Sequence, residues 1–158
     1  RQKMKKLLNK YVALVFLVAT TVSCESTRTA IFDQYSYQRT TELKVETSKL
    51  MEKATTPYSK NALEIDALLL NIEKLSEYEK NKPENEITFA MWTVLSDQEK
   101  NLLGGFFKRW KEKETLSPAF VTESKKQVLE ALDLLIQYEI KKDKDSKDSL
   151  IDLINLNK

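Results

Sequence analysis

Histidine is absent from this chain, and cysteine occurs once, at Cys24. The commonest general base and metal ligand is therefore missing, and the Glu-x-x-His pattern of helical di-iron sites cannot exist. A lone cysteine makes neither an intrachain disulfide nor a multi-thiolate metal site. No metal and no cofactor is expected. Glycine and proline are scarce, with 2 and 3 copies in 158 residues. So few turn formers argue against many hairpins and for long helices joined by few loops. Gly104-Gly105 is followed by Phe106-Phe107 rather than by a Lys-Ser or Lys-Thr pair, so no phosphate-cradling loop is present.

What charge there is divides unevenly. Five of the 26 basic residues and none of the 24 acidic ones precede Cys24, leaving 21 against 24 in the remainder. That mildly acidic remainder disfavours nucleic acid as a partner.

Met4 to Lys10 is basic, and Tyr11 to Ala19 is an uncharged apolar run that tapers into Thr20-Thr21-Val22-Ser23-Cys24. A run of about a dozen residues is too short for the roughly 20 of a spanning helix but suits the apolar centre of an export signal. With Ser23 directly before Cys24, the segment resembles the signal and lipobox of bacterial lipoproteins, although Thr21 stands where that family most often has Leu. The resemblance implies a signal peptide over 1–23, cleavage before Cys24, and lipid on Cys24 as the new N-terminus. At about 0.8 kcal/mol per buried methylene, one acyl chain anchors marginally and two or more hold firmly. Glu25 is not the Asp that marks inner-membrane retention in enteric lipoproteins, which points to the outer membrane, facing the periplasm.

After a short polar spacer, 24–30, helical spacing takes over. Phe32, Tyr35, Leu43, Leu50 and Ala54 predict one face of a helix over about 29–55, which Pro57 ends. A second helix, about 57–81, carries Ala62, Ile65, Leu69, Ile72 and Leu75 or Ser76, widened by Leu63, Leu68 and Leu70. Asn81 to Asn85 is the next breaker. Ile87, Ala90, Met91, Val94 and Leu95 mark a third stretch from Glu86, and Ser96 with Glu99 reads as a capping box opening a helix through Leu102, Leu103, Phe106, Phe107 and Trp110 to Glu114. Gly104 and Gly105 inside it call for close approach by another helix, or a kink. Ser117-Pro118 reads as N-cap and first helical residue, and Phe120, Val121, Val128, Leu132, Leu135 and Tyr138 or Glu139 carry that helix to Lys142. The charged run 141–148 reads as a solvated last turn or a linker, and the apolar stretch 150–156 as a short helix that caps the core or meets a partner. The expectation is an all-α, roughly four-helix up-and-down bundle over 31–142, with 143–158 as a linker and short amphipathic helix.

Chemistry is hard to find in it. Ser124 is followed by Lys125-Lys126 without a convincing nucleophile setting, and pairs such as Glu73 with Glu77 or Glu64 with Asp66 are ordinary on solvated helix faces. The most distinctive composition runs from Phe106 to Lys113, aromatic and basic. Trp110, Arg109 and the more distant Trp92 are candidate partner-binding residues, while the competing reading puts Phe106, Phe107 and Trp110 in the core with Lys108, Arg109, Lys111 and Lys113 in water. The sequence thus predicts a non-enzymatic envelope protein, held to a membrane through lipid on Cys24 and presenting helix faces to a protein partner. The alternative is an inhibitor or immunity protein against a toxin or wall-degrading enzyme.

Overall fold

The structure, a computed structural model, describes residues 29–158. Cys24 and the signal segment lie outside them. Six α-helices and no strand occur among the described residues, so the fold is all-α. We number the helices α1 (Gln34–Glu52), α2 (Tyr58–Lys80), α3 (Glu86–Ser96), α4 (Leu103–Lys113), α5 (Pro118–Lys141) and α6 (Lys144–Leu156).

The buried positions of the long helices recur every three or four residues, the spacing that lets helices pack nearly parallel to their neighbours. In α1 they are Ser36, Thr40, Leu43, Thr47 and Leu50, in α2 Ile65, Leu68, Ile72, Leu75 and Glu79, and in α5 Val128, Leu132, Leu135 and Glu139. The α1 stripe differs from the sequence expectation. Phe32 and Tyr35 are about half exposed, and small polar residues hold the core register instead, because α1 packs against both α2 and α5 and side chains of modest size let the helices approach. Likewise Leu63 and Leu70 of α2 face outward.

Polar contacts at the helix ends set the directions. Asp33, which caps α1, lies against Tyr78 and Lys82 at the end of α2 and against Glu139 at the end of α5. Glu52 at the far end of α1 meets Lys125 early in α5 at 2.5 Å. Both neighbours are therefore antiparallel to α1. The next arm is broken in two: α3 returns along the second half of α2, with Trp92 and Ser96 beside Leu69 and Ile72, and α4 continues along the first half, where Trp110 meets Tyr58. An up-and-down arrangement results, with α6 packed beside α3 and α5.

The break explains the two glycines. A Cβ on Gly104 would stand 2.3 Å from the Ser96 carbonyl oxygen, and one on Gly105 1.9 Å from that of Lys100. The close approach is made by the end of α3 and by the connection that follows it, folded back onto α4. The capping box does not form: Ser96 is the last residue of α3, its hydroxyl donates to the Trp92 carbonyl, and α4 begins only at Leu103. Ser117 caps α5 as its sequence suggested, accepting the Phe120 N–H at 3.3 Å. The charged run is no linker. Lys142 ends α5 in the left-handed conformation, Asp143 caps α6 by accepting the Ser146 N–H, and residues 144–148 form the first turns of α6. Leu150 and Ile154 then join the common core, so the tail belongs to the bundle.

Candidate functional site

Of the residues singled out from sequence, Cys24 lies outside the described residues. Trp92 and Trp110 are 1% and 0% exposed, which places both in the core and removes them as a contact surface. For Trp110 the core alternative is the one found. Its indole N–H donates to the Thr56 and Glu114 carbonyls at 2.9 and 3.1 Å, and Tyr58 packs edge-on at 5.7 Å. Trp92 lies off the Met91 and Leu95 stripe, but α3 is enclosed by α2, α4, α5 and α6, so its second face is buried as well. Its N–H finds no hydrogen-bond partner among the described residues.

Arg109 alone of the three is exposed. Its guanidinium sits 4.5 Å from the centre of the Phe120 ring, in cation–π range. It lines a groove between α4 and α5 together with Lys108, Glu112, Phe120 and Glu123. Lys108 reaches Glu99 at 2.6 Å, and that bond raises its ammonium above the ordinary 10.5. The groove mixes both charge signs around an aromatic floor, a composition suited to polar protein contacts.

Sequence reasoning missed the densest polar cluster, at the end of the bundle where residue 29 enters. Lys82 Nζ lies 3.0 Å from the Ser36 hydroxyl, 3.3 Å from Asp33, 3.3 Å from Glu79 and 3.8 Å from Glu139. Glu139 accepts the Asp33 backbone N–H at 2.6 Å and pairs with Lys142 at 2.7 Å. Glu79, fully buried as a side chain, takes a bond from the Asn85 amide. Asp33 suits the N-terminus of α1, and Lys82 and Lys142 the C-termini of α2 and α5, whereas Glu79 and Glu139 stand in the last turns of those two helices, where the two ammonium groups offset their charge. Partial burial alone would raise the Asp33 carboxyl, but bonds from Tyr78 and the Ser36 amide and the charge of Lys82 together hold it below 3.8. The bond to Asp33, with burial, pushes Tyr78 up to about 12. Burial and the charges of Glu139 and Glu86 do the same to Tyr138.

Three carboxylates and two ammonium groups so interlocked fasten the ends of three helices. No group of three His, Cys, Asp or Glu side chains arranged to hold a metal occurs among the described residues. Two signs in the sequence point to the cluster. Glu79 falls in the core register after Ile65, Leu68, Ile72 and Leu75, and Glu139 after Val128, Leu132 and Leu135, and carboxylates there must be paired.

No family model matches the chain, and no curated protein or solved structure shows significant similarity to it.

Proposed function

We propose that the protein is a lipid-anchored, non-catalytic accessory protein of the bacterial cell envelope, tethered through Cys24 at the outer membrane and presenting helix faces to a protein partner in the periplasm. The observation that carries this reading is the order basic segment, apolar run, Ser23-Cys24. A bundle that takes in its chain at one pole, with a mixed-charge groove around Arg109 on its side, suits a tethered presenter. No helix among the described residues is long and apolar enough to cross a membrane, so in this reading the lipid supplies the attachment.

Metabolic labelling with a fatty-acid probe tests it. The native chain is expected to take up label and to sediment with outer membranes, and Cys24→Ala to lose both. An unlabelled native chain with a free thiol at Cys24 would end the proposal. The partner face is tested separately: Arg109→Glu should abolish recovery of a protein that co-purifies with the native lipoprotein from detergent-solubilised envelopes.

A further inference from the structure

We infer that the pole at which residue 29 enters the bundle is a membrane-contacting surface, with Ile31, Phe32, Tyr35 and Tyr78 seated in the interfacial layer of the bilayer that holds the acyl chains on Cys24. This deepens the anchored reading above and rests on it.

The four side chains are unusually open for their chemistry: Ile31 is 85% exposed, Phe32 and Tyr35 47% each, and Tyr78 40%. Ile31 and Phe32 line one shallow groove on the entry segment, and the other two side chains touch. Tyr35 and Tyr78 pack ring to ring at 4.7 Å, and the Tyr78 hydroxyl bonds Asp33, the residue after Phe32. Of the other large exposed apolar residues, Val45, Leu63, Leu70 and Leu156 lie further along the bundle, and Ile140 stands near the end of α5 at this same pole. Apolar and aromatic side chains gathered on one patch mark a contact surface, whereas scattered ones do not.

Chain length selects the occupant. Six residues lie between Cys24 and Ile31, and the seven steps that join the two span about 25 Å at full extension. Acyl chains inserted from Cys24 therefore confine this pole, and not the opposite one where α2 begins, to the neighbourhood of the headgroups. A tether turns a weak surface contact into an intramolecular one at high effective concentration, so a patch too small to hold a free protein on a bilayer is occupied once the lipid is in place. The chemistry fits: tyrosine rings with a polar tip are at home in the interfacial layer, and Ile31 and Phe32 stand on the entry segment itself, before α1 begins.

The test uses the full-length gene expressed in a bacterium and the lipidated product, reconstituted into vesicles of phosphatidylethanolamine and phosphatidylglycerol. Lipidation consumes the thiol of the single native cysteine, so a fluorophore on Phe32→Cys, or on Ile31→Cys should the first variant fold poorly, reports that position alone. Leu63→Cys, 87% exposed near the start of α2, is the control. Quenching by lipids carrying a nitroxide in the headgroup region is expected to be several-fold stronger at residue 32 than at residue 63. Equal quenching at the two positions overturns the inference and leaves the patch to a protein or a second copy. Mass spectrometry of the same samples keeps the two ideas apart: acylated Cys24 without quenching at residue 32 removes only the contact surface, and unacylated Cys24 removes the anchor and the surface with it.

Discussion

Trp110 donates its indole N–H to the carbonyl of Thr56, fixing the connection between α1 and α2 to the last turns of α4 at 2.9 Å. The same nitrogen bonds Glu114, whose backbone adopts φ 61 and whose carboxylate accepts the Ser59 N–H at 3.3 Å in the first turn of α2. One side chain thus joins three segments at the pole opposite the charged cluster. Trp110→Phe opens space in the core and takes the indole donor from the Thr56 carbonyl, while the Glu114 carbonyl keeps the Tyr58 N–H at 2.8 Å, and should cost roughly 1–3 kcal/mol. Trp92→Phe removes a buried N–H that has no partner among the described residues, so it should cost less. Urea midpoints of the two variants, compared side by side, check the order.

Removing Lys82 leaves Glu79, Asp33 and Glu139 facing one another with one cation fewer. Stripping one partner from a buried pair is strongly destabilising, by about 3–5 kcal/mol, and Lys82→Met should fall in that range. Adding Glu79→Gln should restore part of the loss, because the surviving charges are then better balanced. A double-mutant cycle by chemical denaturation measures the coupling.

The depressed Asp33 carboxyl gives an acid dependence of fixed sign. Because its pKa is lower folded than unfolded, its stabilising contribution is complete above about pH 4 and is lost as pH falls through the folded value. Asp33→Asn keeps a competent helix cap and should narrow its stability gap to the native chain as pH drops below 4. At the alkaline side, Tyr78 and Tyr138 titrate near 12 rather than 10, so the stability they confer is complete below pH 10 and fades as pH rises toward 12. Unfolding free energies across both ranges test the signs.

Replacing a helix glycine with alanine ordinarily stabilises by about 1 kcal/mol. Here both replacements should destabilise, since the new methyl meets backbone oxygen within 2.3 Å at Gly104 and 1.9 Å at Gly105. Backbone cannot swing aside as a side chain does, and thermal melting of the two variants should show lower midpoints for both.

Helix boundaries marked by local chemistry were readable in the sequence. Pro57 and the Asn81 to Asn85 breaker bound α2, and Ser117-Pro118 opens α5, because proline and capping residues act within one turn. Ser96 misled for the opposite reason. A Ser-x-x-Glu pattern is worth about 1 kcal/mol, and burying Leu95, Leu102 and Leu103 in the shared core outweighs it by drawing the connection back over α4. The α1 stripe was misread because Phe32 and Tyr35 carry more apolar surface than Ser36, Thr40 and Thr47, although the latter keep the 3.5-residue register. The charged cluster depends on three helix ends meeting, a long-range relation that periodicity within one helix does not contain.

Because α1 starts at the pole where residue 29 enters, any load drawn through the preceding chain reaches the bundle lengthwise along α1. The Ala30 N–H, bonded to the Glu84 carbonyl at 3.0 Å, and the Asp33 N–H, clamped by Glu139, take it up first. Beyond those clamps α1 must slide against α2 and α5 together. Shear of that kind spreads tension over a whole row of packed side chains rather than opening them one at a time, a geometry suited to a body that hangs from one end.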